Sequence, residues 1–381
     1  MFDELASGVS SVAAPDIERA FVGSHAAFAL LSFVGPGIVA LVLEPLIFLL
    51  ADRYPRAYFV RGGLAVLAVG SVACGLAPGP YSLVAATSVC WVATGAASAL
   101  SQATLIDRAP ERRAQTMARW TLLSLAGDLC APALLVVLSI GGLGWRAAYV
   151  IVGALIAVWT VIAFATPIDV EPGPDADTGA PPRPLLASLK EALSDKTLVA
   201  WLFGVALCDL LDEILVVFAT IHVKTELGGG TLAQSAVVAT CTASGAIGLV
   251  ILQRLLARGH DERRLLVGFC AACAASVIAW VAAPTVWASV LLVIPVGAFS
   301  TPLYPLVAAR AYAQRPAESG AVLAASHLFT PLGLALPYLV GAIADHAGTY
   351  VALMVLIAQP LGLIVLTRAT GRARRDTLEH P

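Results

Sequence analysis

Eleven apolar runs, each about the twenty residues that one helix needs to cross a bilayer, constrain this chain more than any motif it carries. They cover 25–50, 58–77, 81–106, 120–141, 146–166, 197–222, 231–257, 264–283, 286–309, 319–343 and 349–368. The balance of residue types agrees, with 59% of the chain hydrophobic and 13% charged, against about 25% charged in a soluble domain. The chain therefore reads as an all-α polytopic membrane protein with the lipid bilayer as its solvent. A net charge of −2 argues for no nucleic-acid partner. The seven cysteines, at 74, 90, 130, 208, 241, 270 and 273, all lie in apolar stretches and read as small buried hydrophobes. Cys270 and Cys273 share a helical face, but no further Cys or His stands at ligand spacing, so no metal and no cofactor is expected.

Eleven is an odd count, and the N-terminus bears on it. Met1–Ala14 is apolar enough to be embedded but too short to cross. Phe2-Asp3-Glu4-Leu5 returns as Leu211-Asp212-Glu213-Ile214, 209 residues later. If the copies correspond, the span that begins near Leu198 has a first part with no counterpart before Met1. The expectation is a helix 1 that is truncated as written, followed by eleven full spans. Basic residues collect on the cytoplasmic side of membrane proteins, and here 20 of the 23 Lys and Arg fall in alternate loops and the tail, leaving Arg19, Arg146 and Lys224 opposite. Counting a complete helix 1, that bias puts both termini of the full-length protein in the cytoplasm.

Between Pro167 and Arg183 the composition turns to Pro, Asp and Gly, the mark of a solvated linker. After it, Leu185, Leu186, Leu189 and Leu193 stand at helical spacing opposite Lys190 and Glu191, as in a short interfacial helix. The expected domains are an N-terminal bundle at 1–166 (helix 1 partial, helices 2–6), a cytoplasmic linker at 167–196, a C-terminal bundle at 197–368 (helices 7–12) and a basic tail at 369–381. Arg108 and Arg113 are echoed by Arg310 and Arg315 at an offset of 202. Two six-helix bundles in parallel repeat, with the site at the midplane between them, form a transporter architecture.

Acids inside spans mark ion or substrate paths, because burying one in hydrocarbon is costly. Asp209, Asp212 and Glu213 share one face of helix 7, and Asp209 lies about 17 Å along it from Leu198, near mid-bilayer. Like charges this close raise each other's proton affinity, which suits proton or cation coupling; substrate recognition and hydrogen bonding between helices are the alternatives. Asp3 and Glu4 would be the symmetry mates of Asp212 and Glu213, at the outer half of helix 1. Asp128 lies midway along helix 5 and is a further cavity candidate. Glu44, followed by Pro45 in helix 2, suits a latch, packing or transport role. His327 is the one deeply placed imidazole, as a proton-relay group or a packing residue. Asp107 ends helix 4, with Arg53 or Arg56 as its expected partner. Pro295, Pro302, Pro305, Pro331, Pro337 and Gly35-Pro36-Gly37 would bend or break their helices; the alternative is that Pro and Gly are simply commoner in membrane helices than in soluble ones.

The chain resembles the major facilitator superfamily over essentially its whole length. The family's loop after helix 2 reads Gly-x-Leu-Ala-Asp-Arg-x-Gly-Arg-Lys. Here Leu50, Ala51, Asp52, Arg53 and Arg56 match, while Phe48 and Pro55 stand in place of the glycines. The resemblance implies a conformational latch in which the acid faces the cytoplasmic start of helix 11, near Ser319; an ordinary basic turn is the alternative. The arginine usual in helix 4 of proton-coupled members is absent, with Trp91, Thr94 and Gly95 in that motif's place. Gly127-Asp128-Leu129-Cys130-Ala131-Pro132 is similar to the exporter pattern of helix 5, with Ala131 in place of its second glycine. The runs Ser101-Gln-Ala-Thr-Leu105 and Met117-Ala-Arg-Trp-Thr121 are similar to an uncharacterised prokaryotic branch. That implies a bacterial cytoplasmic (inner) membrane.

The function expected is a secondary active transporter moving a small organic solute by alternating access, driven by a coupling proton or other cation. Efflux is favoured, and a monomer is expected. An uptake symporter and a transport-inactive sensor or scaffold on the same fold are the alternatives. Primary pumping and enzyme chemistry are not expected: the phosphate-loop, His-Glu-x-x-His and Gly-x-Ser-x-Gly motifs are all missing.

Overall fold

A computed structural model describes residues 2–21, 34–166, 184–316 and 318–379. Within them the chain is helical and contains no strand. Among the described residues nine helices are long and apolar enough to span a membrane, and Gly35–Ala51 and Lys196–Cys208 are shorter apolar helices. Each predicted run overlies one of these helices. The first part of the 25–50 run, His25 with it, lies outside the described residues, as does the linker from 167 to 183. The start of the chain forms two short helices, Phe2–Val12 and Ala14–Phe21.

Helix starts follow from capping chemistry, in which a side-chain oxygen accepts from the free amides of the first turn. Asp195 accepts from the amides of Thr197 and Leu198, Asp261 from Arg264, and Thr285 from Ala288. Two proline-associated breaks also match expectation. One span divides into Val286–Ser300 and Leu303–Tyr312 around Pro302. Another divides into Ser319–Ser326, a single tight turn at His327–Phe329, and Thr330–Ala347 with Pro331 in its first turn. Pro45 and Pro295 are instead carried inside their helices.

By contact the chain forms two compact units. The first comprises Met1–Arg108, Leu123–Ala192 and Arg315–His327. The second comprises Ala109–Leu122, Leu193–Gln314 and Leu328–Pro381. In the first, the Arg56–Leu76 helix packs along Trp145–Ala165. A methyl group at Gly153 would lie 2.8 Å from the Ala68 carbonyl oxygen, so the two backbones nearly touch. Small residues permit such approach where the hydrophobic effect does not drive helices together. Leu67, Cys74, Tyr149, Val152 and Ile156 fill the core beside this seam. Ser10 and the Tyr149 hydroxyl, 2.5 Å apart, tie the N-terminal helix to it.

The second unit repeats the device where Thr231–Ala257 meets Val286–Ser300. Gly297 abuts the Cys241 carbonyl, and Gly248 abuts that of Ala298. Trp280 is fully buried there and donates its indole N–H to Ser289 Oγ at 2.8 Å. All seven cysteines are free; Cys130 alone is exposed, the exception to the buried reading, while Cys90 is half-buried.

Candidate functional site

A four-residue connection after Gly35–Ala51 turns the chain into the helix that begins at Arg56. That turn sets Asp52 and Arg56 side by side, with Arg56 Nη2 2.9 Å from Asp52 Oδ1. The other arm of the guanidinium reaches Asp107 Oδ2 at 2.6 Å. Arg56 is 7% exposed, and these two carboxylates offset the cost of burying its charge. Asp52 also accepts from the backbone amides of Gly320, at 3.0 Å, and Ala321, at 2.8 Å. Both belong to the first turn of Ser319–Ser326, where free amides and the helix dipole favour an anion. Ser319 Oγ donates to Asp107 Oδ2 at 2.6 Å, closing the network.

Two features of this network were not visible as residues in a row. Arg56, not Arg53, pairs with Asp107, and Arg53 Nη2 is buried without a hydrogen-bond partner among the described residues. The close approach comes from Gly320 on the opposite helix. A Cβ there would meet the Phe48 carbonyl and lie 2.6 Å from Asp52 Oδ1, so the glycines missing around Asp52 are replaced from across the contact. Arg315 holds the lead-in segment, reaching Glu191 of the Leu185–Ser194 helix at 3.0 Å and Glu318 at 2.7 Å. Burial works against the Arg315 charge, but its bonds to those two acids outweigh it and raise its pKa.

Burial also raises the Asp52 carboxyl above its ordinary value, against the opposing pull of Arg56 and the two amides. A carboxyl raised on folding favours the folded state at low pH, and that contribution is lost as pH rises through its folded pKa. Ionised Asp52 is therefore held at a cost. Asp52→Asn, which keeps one of the two acceptor oxygens and removes the charge, is expected to lower the apparent Tm less than Arg56→Ala. Thermal unfolding of the two purified variants in detergent at neutral pH checks the order.

Deeper in the same unit, Glu44 Oε2 lies 3.2 Å from His327 Nε2, with the two side chains 14% and 18% exposed. The carboxylate is seated on Gly95, where a Cβ would lie 2.6 Å from Glu44 Oε1. Gly95 opens a π-helical turn, Gly95–Ala99, a distortion frequent at functional sites. The Phe48 ring stands 5.8 Å from the imidazole. His327 Nδ1 is buried without a hydrogen-bond partner among the described residues.

A third group of polar residues gathers where Phe2–Val12 meets Arg113–Ile140. Gly8 rests against Ala131, and a Cβ at Gly8 would lie 2.6 Å from that side chain. Asp3 accepts a short hydrogen bond from Ser98 Oγ, and Ser7 Oγ donates to the Glu4 carbonyl at 3.1 Å. Asp3 and the exposed Asp128 both act electrostatically on Glu4. Ser98 escaped sequence reasoning because a serine among small residues looks like packing. Asp209, Asp212 and Glu213 fall within the Lys196–Thr225 helix, but their side chains lie outside the described residues. No group of three or more His, Cys, Asp or Glu among the described residues is arranged to hold a metal.

Comparison with known proteins sets these groups in context. The family model described as Major Facilitator Superfamily matches residues 1–336. A protein named multidrug resistance protein Stp, from Mycobacterium tuberculosis, is 29% identical over 164 residues, which are 40% of this chain and 29% of that protein. Among solved structures, the Escherichia coli fucose:proton symporter superposes with a TM-score of 0.78 at 13% identity, over 96% of this chain and 95% of that one. A bacterial homologue of the iron transporter ferroportin gives 0.75 at 15% identity, over 97% and 96%. The human organic anion transporter MFSD10 gives 0.72 at 14% identity, over 96% of each chain.

Proposed function

Because the chain belongs to the Major Facilitator Superfamily, an integral-membrane family of transporters rather than enzymes, we propose that it is a proton-coupled secondary transporter of a small organic solute. The observation that carries the coupling is the gathering of Asp3, Glu4 and Asp128 in one part of the first unit, with Ser98 bonded to Asp3. Three acids within electrostatic reach cannot all stay ionised cheaply where water is scarce, and a group that takes up and releases a proton is what coupling requires. Asp209, Asp212 and Glu213 supply a second acidic group by sequence, as the repeated Asp-Glu pair leads one to expect.

Efflux is the direction proposed. Its support is the Gly127-to-Pro132 run, with Pro132 carried inside its helix, and the likeness to a protein named for multidrug resistance. The Asp52–Arg56–Asp107 network suits a latch, because it joins residues distant in sequence through groups that must all be released together. In the cell the bacterial inner membrane is the proposed location, with this network on the cytoplasmic side and both termini of the full-length protein in the cytoplasm. The acting unit proposed is a monomer.

Asp209→Asn and Glu4→Gln test the coupling acids. Each is expected to lower solute-driven proton movement in proteoliposomes about tenfold or more, since one group in a proton path is rarely replaced by its neighbours. A variant that keeps coupled movement at the unaltered protein's rate removes that acid from the role. Loading solute on one side or the other of oriented vesicles reads the direction.

A further inference from the structure

We propose that Glu44 and His327 form a proton-binding site of their own, whose occupancy sets how firmly the Gly35–Ala51 helix is held to Ser319–Ser326. Glu44 precedes Asp52 by eight residues on one helix, and His327 follows Gly320 by seven along the opposing segment. At 1.5 Å per residue the pair therefore lies about 12 Å from the Asp52 contact along the same seam. The seam has two polar rungs. One is the fixed network of Asp52, Arg56 and Asp107; the other is a carboxylate facing an imidazole.

The second rung differs from the first in chemistry. Arg56 stays charged at any physiological pH, whereas an imidazole changes charge between about pH 5 and 8. With His327 protonated, the rung is an ion pair. When base takes the proton from Nδ1 to water, Nε2–H can still donate to the carboxylate, but the opposite charges are gone. When acid protonates Glu44 instead, the carboxylate is lost and the pair is again broken. The seam is thus tightest when the two residues together hold the imidazolium and no proton on the acid. Nδ1 is the ring nitrogen left for that proton, because Nε2 faces Glu44, and it has no hydrogen-bond partner among the described residues.

Among the described residues, the charges on the elements packed around the pair are few; the side chains of Asp209, Asp212 and Glu213, on the Lys196–Thr225 helix that packs against Thr330–Ala347, lie outside the described residues. Glu44 is the one charged residue within Gly35–Ala51, and Ser319–Ser326 carries none. On the helices packed against them, Asp107 and Arg108 close Pro80–Arg108, while Arg56 and Arg61 lie near the start of Arg56–Leu76. Along His327's own run the next charges are Glu318 before it and Asp345 after it. Gly95 leaves room for the Glu44 carboxylate against the π turn, so the acid is held in place even when its partner is neutral.

The inference rests on the transport reading only for its use in a cycle, and its test needs neither solute nor gradient. The amides of Gly320 and Ala321 are hydrogen-bonded to Asp52, so their hydrogen–deuterium exchange in the purified full chain reports whether the seam is closed. After correction for the intrinsic pH dependence of exchange, protection at about pH 6 is expected to exceed that at about pH 8 roughly tenfold, the size of one charge–charge attraction lost across the seam. His327→Gln and Glu44→Gln should each remove that pH dependence and leave protection low throughout. The double variant should be no worse than either, and Asp52, present in all of them, serves as the internal control. If one variant does not fold, as judged by size-exclusion profile, the other decides alone. Wild-type pH dependence surviving in either folded variant, or no pH dependence in the unaltered protein, overturns the proposal. Solute-driven proton movement is scored separately: its absence beside pH-dependent exchange sinks the coupling reading and leaves this one standing.

Discussion

Gly320→Val should abolish transport while leaving a folded but less stable protein. The added carbons would meet the Phe48 carbonyl and the Asp52 carboxylate, and both are fixed by the helix end they belong to. Backbone cannot swing aside like the tip of a lysine, so the two segments must separate. Overpacking of this kind costs about 1–3 kcal/mol. The separation would also lengthen the bonds from Gly320 and Ala321 to Asp52. Gly320→Ala should fall between wild type and the valine variant, since its one added carbon already lies within 2.6 Å of Asp52 Oδ1. Uptake of a transported solute into proteoliposomes, alongside apparent Tm, measures both effects. Wild-type transport by the valine variant would show that this close approach is dispensable.

The largest stability loss is expected for Arg56→Ala. Its guanidinium serves Asp52 and Asp107 at once, at 2.9 and 2.6 Å, and removing it leaves two facing carboxylates with one hydroxyl and two amides between them. Breaking a buried ion pair from one side costs several kcal/mol because the remaining charge is stranded. The carboxylates keep 17% and 19% exposure, so a loss of about 3 kcal/mol, the low end for a buried pair, is the reasonable size. Arg56→Lys retains the charge but not the two-armed fork, and should recover only part of the loss. Arg56→Ala combined with Asp107→Asn should be less unstable than Arg56→Ala alone, because one stranded charge is removed. Thermal unfolding in detergent reads all three, and a double variant no better than the single would show that stranded charge is not the cause.

What could be read from residue order follows a physical line. Spans are legible because the bilayer imposes a length and an apolar composition on each helix separately, and Arg56–Leu76 or Trp145–Ala165 satisfies that rule without reference to any neighbour. Asp52 and Asp107 were visible as charges at helix ends. The Asp52 carboxylate, however, meets Gly320 across 268 residues, and a close approach is a property of two helices in register. Gly320 by itself looks like any glycine in a membrane helix. Glu44 and His327 stood out singly as polar residues in apolar runs, yet neither spacing nor periodicity pairs them. The pair meets beside the break at His327–Phe329 and the π turn at Gly95–Ala99, and neither has a sharp sequence signature. Arg315–His327 joins the first compact unit although it follows the linker, a grouping that depends on contacts and not on order along the chain.

Proton-coupled movement of a solute is tested most directly by reconstituting the purified chain in liposomes, imposing solute gradients from a panel, and following internal pH. For at least one transported solute, proton flux should start with solute addition and run in a fixed ratio to solute flux. It should fall about tenfold or more when Asp209 is replaced by Asn. Solute movement with no accompanying proton flux, under conditions where the vesicles hold an imposed pH gradient, would contradict it.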